Sequence, residues 1–280
     1  MAAFAGWNDA ASAATTALEA AAVDLDGKPV ASIDPEDFFD FQVNRPSIRL
    51  TDGQARQVDW PQNTLVAARV PGAERDLILL SGTEPNLRWK TFSSAILDAC
   101  QELGVEMMVT LGALIADVAH SMPVPITGLA SDPDLVERLG LSRSNYEGPT
   151  GIVGVLHDEC RQRGIASASL WAAVPHYVAA VPNPKAALAL LRRLEGLTGT
   201  AVEASELEDA IGRFDRQVDR AVQANPEIQE LVQRLEAEQQ VTFGDGEDVP
   251  SGDSIAQEFQ RFLRQRGTDP DDTPGAAGAP

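Results

Sequence analysis

The chain has 280 residues, 44% of them hydrophobic, and a formal net charge of −20. That length suits one large domain, or a domain with an appendage, and it buries a sizeable core without a metal or disulfide staple. The acidity repels phosphate backbones and anionic bilayers, which excludes nucleic acid and membrane surfaces as expected partners; residues 201–280, with 7 basic against 18 acidic side chains, carry over half of the excess.

Met1 to Ala5 reads as a short apolar strand stopped by Gly6. Asp9 to Ala22 reads as a helix with Asn8 or Asp9 as its N-cap, where a side-chain oxygen satisfies free amides and a carboxylate complements the positive helix end. Trp7 stands where it would fold back on the first turn as a staple. PVASI, FFDFQVN, SIRLTDG and LVAARVP alternate or run apolar and read as β structure, with turns at Asp34-Pro35, Arg45-Pro46, Asp52-Gly53 and Trp60-Pro61. DLILLSG, Asp76 to Gly82, is an apolar strand of the central-sheet kind. The turn Thr83-Glu84-Pro85-Asn86 leads to a helix over Leu87 to Leu103. EMMVTLGALI is another buried strand and PVPITGLAS a short one, followed by a helix that Asp132 and Pro133 open.

A glycine-rich turn at Gly148 to Gly151 enters a helix that ends at Gly164. Ala166 to Tyr177 is the last core strand, and Asn183-Pro184 caps a helix over Lys185 to Leu197. Strand and helix alternate, so the spacing predicts an α/β sandwich with a mostly parallel or mixed sheet and a β-rich early insertion. Leu207, Ile211, Phe214 and Val218, then Ile228, Leu231, Val232 and Leu235 beyond the breaker Asn225-Pro226, give an α-hairpin with one apolar stripe per arm. Ser254 to Arg266 reads as a last amphipathic helix with Ile255, Phe259, Phe262 and Leu263 on one side. The expected organisation is a core over 1–200, a helical appendage over 201–266 and a disordered tail over 267–280.

Phosphate-binding loops of the GxxxxGK[ST] and GxGxxG types, GxSxG and HExxH are all missing from the sequence. Cys100 and Cys160 share no CxxC spacing and read as reduced, packed thiols of a cytoplasmic protein. His120, His157 and His176 have no metal-ligand spacing, so neither a metal nor a cofactor is expected. His157, beside Asp158 and Glu159 in a helix, reads as a surface residue. Strand ends would bring Asp9, Glu84 and Glu147 together with His176 as a general acid/base set, with Trp7, Asn8, Thr83, Gly148, Thr150, Gly151 and Tyr177 as ligand contacts. The Gly148 turn would offer backbone amides to an anion. The plainer reading of the same residues is a set of helix caps and packed side chains.

FAGWNDA, SGTEPNLRW (81–89), TLGALIADVAH, PVPITGLASD, YEGPTGIVGVL (146–156) and SLWAAVPHYVAAVPNPKA (169–186) occur in this order. As a set they resemble the actinobacterial branch of the proteasome assembly chaperone 2 family, from residue 2 to about residue 240. The resemblance implies a three-layer αβα sandwich of the phosphorylase/hydrolase kind, homo-oligomers with trimers among them, and proteasome α-type subunits as partners. It implies a non-enzymatic assembly chaperone; the alternative is a small-molecule-binding protein, or a hydrolase- or phosphorylase-type enzyme with a strand-end site. Relatives that dock on proteasome rings through a hydrophobic–tyrosine–any tail differ here: the sequence closes on Gly278-Ala279-Pro280, and its tyrosines are Tyr146 and Tyr177. Contacts are therefore expected from a surface such as the helical arm.

Overall fold

The computed structural model describes residues 1–51, 55–70, 72–73, 75–131, 148–199 and 201–244. Among these run β1 (Ala2–Ala5), α1 (Ala13–Asp24), β2 (Lys28–Ile33), β3 (Ser47–Thr51), β4 (Ala55–Asp59), β5 (Asn63–Ala68), β6 (Leu77–Thr83), α2 (Trp89–Glu102), β7 (Met107–Ala116), β8 (Ile126–Ala130), α3 (Ile152–Arg163), β9 (Ala166–Pro175), α4 (Pro184–Thr198), α5 (Ser205–Gln223) and α6 (Pro226–Gly244). Short 3-10 turns sit at Ala10–Ser12 and His176–Val178.

A seven-stranded sheet of order β2-β5-β6-β1-β7-β9-β8 forms the centre. β6, β1, β7 and β9 run parallel, while β5 is antiparallel to both β6 and β2, and β8 is antiparallel to β9. The two-residue period of a strand sends alternate side chains to opposite faces. Ala3 and Leu79 join the cluster built on α1 and α4. Ala2, Phe4 and Leu80 join the cluster built on α2 and α3. The result is a mixed αβα sandwich, as expected. On one side, alanines at 13, 14, 17 and 21 of α1 let that helix lie close to the sheet; on the other, Phe92 meets Phe4 and Phe38 edge-on, with ring centroids 6.0 and 5.3 Å apart.

Three local expectations are corrected. FFDFQVN is not a strand: the Phe38 and Phe39 amides donate to Pro35 O, and the Phe38 carbonyl accepts from Asn86 and Leu87. Its three phenylalanines plug the α2 side of the core instead of alternating along a sheet. The polar stretch Ala55–Asp59, which the pattern passed over, is β4; it pairs with β3 in a separate two-stranded ribbon. α1 begins at Ala13 rather than Asp9, after the 3-10 turn. The helix expected after Asp132, the amphipathic helix at Ser254 and the tail lie outside the described residues.

The arm is not free of the core. Leu207 enters the α1/α4 cluster, while Phe214, Val218, Val222 and Val232 pack with Tyr177 and Val178 beyond β9. Burying four such side chains contributes about 1.5–3 kcal/mol each. Among the described residues, no helix is long and apolar enough to cross a membrane.

Candidate functional site

The helix after β1 lies on one face of the sheet and the helix after β6 on the other. The carboxyl ends of these neighbouring strands therefore open a switch-point crevice, the usual ligand position in an open α/β sheet. Trp7, Asn8, Thr83 and Glu84 all emerge there. Glu84 Oε1 accepts from Asn8 Nδ2 at 2.8 Å and from the Ile152 amide at 2.8 Å. The second bond sets a carboxylate at the positive end of α3, where charge and amide direction both favour it. The anion seat expected of the glycine turn is thus taken by the chain's own Glu84.

Asn8 is 1% exposed and its carbonyl accepts the Ala113 amide at 2.8 Å. Gly151, the N-cap of α3, has φ −97°, which any residue adopts. Glycine is needed there for space, because a Cβ would lie 2.1 Å from Asn8 Nδ2. The other side of the crevice is just as tight: a Cβ on Gly82 would lie 2.0 Å from Oδ1 of the fully buried Asn63.

Asp9 turns away from this junction. Its carboxylate accepts from the Ala14 amide at 2.7 Å, the Thr15 amide at 3.4 Å and the Thr15 hydroxyl. It caps α1 from across the 3-10 turn, in which Ala11 and Ser12 take the left-handed φ of 52°. Burial pushes the Asp9 carboxyl above its ordinary range, and the bonds from Thr15 and Ala14 pull the other way. Trp7 keeps 45% of its surface accessible, more than a residue stapled under the first turn. Gly148 and Thr150 are exposed, Thr83 is half-buried, and Glu147 lies outside the described residues.

His176 and Tyr177 belong to a second cluster, at the end of β9. His176 Nδ1 lies 2.9 Å from Asp117 Oδ1 without the angle of a hydrogen bond. The Tyr177 hydroxyl accepts the His120 amide at 2.8 Å and stands 2.8 Å from His120 Nδ1. His120 Nε2 reaches Asp219 of α5 at 3.1 Å. Burial pushes the Tyr177 phenol up to about 12, so it keeps its proton. The two ring nitrogens of His120 thus face the Tyr177 hydroxyl and the Asp219 carboxylate, each at hydrogen-bond distance. Lys185 donates to the His120 carbonyl at 2.6 Å, and the Ala119 amide donates to Gln239 Oε1 of α6 at 2.6 Å. This cluster bolts the arm to the ends of β7 and β9. Sequence reasoning missed His120, whose partners lie 57 and 99 residues away.

The sequence pattern of the PAC2 family matches residues 3–222. The chain belongs to the PAC2 family. A PAC2 family protein of Streptomyces avermitilis is 46% identical, with 82% of this chain and 97% of that one covered and a TM-score of 0.76. The proteasome-assembly chaperone homologue Rv2125 of Mycobacterium tuberculosis is 42% identical, with coverages of 82% and 98% and a TM-score of 0.75. The M. tuberculosis protein Rv2714, of unknown function, is 26% identical, with coverages of 95% and 88% and a TM-score of 0.82. No curated protein matches the chain.

In this PAC2 chain, FAGWNDA, SGTEPN and GPTGIVGVL, three of the stretches that carry the family resemblance, meet in the Asn8–Glu84–Ile152 junction. Cys100 and Cys160 are free and buried, and burial raises both thiols, Cys160 to about 12. His157 departs from the expected surface position: it is half-buried on α3, and burial lowers its pKa. No group of His, Cys, Asp and Glu among the described residues is arranged to hold a metal ion. On α5 the charges are sorted. Glu208, Asp215 and Asp219 turn to Arg192, Lys185 and His120. Arg213, Arg216 and Arg220 are exposed on another side and line one open concavity with Gln217.

Proposed function

We propose that this PAC2 protein acts by binding proteins rather than by chemistry, as a homo-oligomeric, assembly-chaperone-like factor whose partners are proteasome α-type subunits. The observation that carries the reading is the occupied crevice. At the place where an αβα enzyme would seat a substrate, Glu84 spends its acceptor on Asn8 and on the start of α3. Asp9 spends both oxygens on α1. Carboxylates committed to internal donors are poorly placed to move protons on a substrate. The proteasome as partner is taken from Rv2125, the proteasome-assembly chaperone homologue that is 42% identical, and the α-type subunits from the family resemblance. Contacts would come from the arm, whose Arg213, Arg216 and Arg220 offer three cations on successive turns to an acidic surface. Two buried free thiols suit a reducing cytoplasm.

The test mixes the purified full chain with recombinant actinobacterial proteasome α-subunits. Co-elution and faster ring formation are expected. No complex and an unchanged assembly rate would remove the partner class. Loss of binding in an Arg213→Glu/Arg216→Glu/Arg220→Glu variant would place the contact on α5.

A further inference from the structure

The β3–β4 ribbon stands apart from the seven-stranded sheet. Its register pairs Ile48 with Val58 and Leu50 with Arg56, so Ile48, Leu50 and Val58 share one face. The opposite face is polar, with Arg49 and Asp59 paired at 3.0 Å. The ribbon therefore has the alternation of a strand pair that packs on something. Yet Ile48 is 62% exposed, Leu50 63% and Val58 45%. Val43 and Trp60, which flank the ribbon in sequence, are 68% and 44% exposed. Scattered apolar residues on a surface need no explanation, but three in register on an isolated ribbon do, because two strands alone are marginal in water. The base is held, with Phe41 and Trp60 edge-on at 4.7 Å, so the ribbon projects from a fixed root.

We infer that this apolar face docks on a second copy of the chain. Charge selects that occupant. Residues 43–60 contain Arg45, Arg49 and Arg56 against Asp52 and Asp59, a small positive balance in a chain of net charge −20. A projecting element that is apolar and locally basic is complementary to the acidic body of its own kind, where most other surfaces of two copies repel. Each copy gives one ribbon and receives one, and that exchange closes into a symmetric dimer or ring. The inference rests on the self-association part of the proposed function and assigns it a surface.

The experiment is sedimentation velocity on the full chain over a concentration series, with Ile48→Lys, Leu50→Lys and the double variant. A Gln57→Ser variant on the polar face, which keeps Arg49 and the charge balance, serves as control. The wild type is expected to associate. The double variant should raise the dissociation constant by roughly a hundredfold or more, since each lost apolar contact counts for about tenfold. The control should associate as the wild type does. All these residues are exposed, and an unchanged far-UV spectrum and melting temperature would verify that each variant folds. An oligomer that survives the double variant overturns the ribbon as the interface and leaves self-association standing, as does a control as disruptive as the lysines. A wild type that is monomeric throughout overturns both.

Discussion

Gly151→Ala is the sharpest test of the crevice. The backbone there accepts alanine, at φ −97° and ψ −173°, so any penalty must come from space. The new methyl would lie 2.1 Å from Asn8 Nδ2 and 2.5 Å from Asn8 Oδ1. Asn8 is 1% exposed and can yield only by leaving Glu84. Losing a hydrogen bond to a carboxylate costs about 1.5–3 kcal/mol, and overpacking adds about 1–3 kcal/mol. The single substitution should therefore destabilise the fold by about 2.5–6 kcal/mol. In an Asn8→Ala background the methyl has room, and the same change should cost less than about 1 kcal/mol, near the small preference for glycine over alanine at an N-cap. The coupling between the two sites is then about 2–5 kcal/mol, large for a pair of residues. Urea unfolding followed by far-UV circular dichroism, at one protein concentration for all four proteins, measures it. Equal losses in the two backgrounds, or a loss under about 1 kcal/mol for Gly151→Ala alone, would refute the argument that Asn8 fills the space.

Other expectations follow from the same contacts. Glu84→Ala leaves Asn8 Nδ2 and the Ile152 amide without their acceptor and should cost about 2–4 kcal/mol. Glu84→Gln keeps an acceptor oxygen and should recover most of that loss in the same urea assay. Asp9 gives a pH signature: its folded pKa is raised above the ordinary 3.8, so the folded chain holds the proton more tightly than the unfolded chain. Ionisation of Asp9 thus costs stability at neutral pH, and the penalty is relieved as pH falls through the raised value and is gone below 3.8. The difference between wild-type and Asp9→Asn stability curves should shift in the wild type's favour over that acid window; a flat difference would contradict the burial argument. Iodoacetamide at mildly alkaline pH should leave Cys100 and Cys160 unmodified in the folded chain and label both after unfolding, as mass spectrometry would show. Phe214→Ala should loosen the arm at a cost of about 3–5 kcal/mol and speed tryptic cutting within residues 205–244, whereas Tyr177→Phe, which removes only the hydroxyl bridge to His120, should cost about 1–3 kcal/mol.

The element pattern was largely legible. Met1–Ala5, DLILLSG, EMMVTLGALI and ASASLWAAVP carry their strand identity in largely apolar runs, and Asn183 marks its helix start by capping Ala186 at 3.0 Å. The amphipathic stripes of α5 and α6 announced a buried face. Period and capping are local properties, written within a few residues of each other, and the sequence alone determined them. It also placed Asn8, Glu84 and Gly151 in one wider candidate group with Asp9, Glu147, His176 and Tyr177, through strand ends and a glycine turn.

Tertiary structure decided what those residues do. Asn8 and Glu84 are 76 residues apart, and Glu84 and Ile152 are 68 apart. Only the β6-β1-β7 strand order brings them into one junction, and only there does it emerge that a carboxylate fills the seat at the start of α3. The same holds for His120, placed between Tyr177 and Asp219 by the docking of a helix that follows it by some 85 residues. FFDFQVN misled for a related reason: a run of phenylalanines states only that it will be buried, and the shape of the space beside Phe92 dictated that it plug the core as a turn. Local propensity travels along the chain, whereas the partner of a buried polar group is set by which strands end side by side.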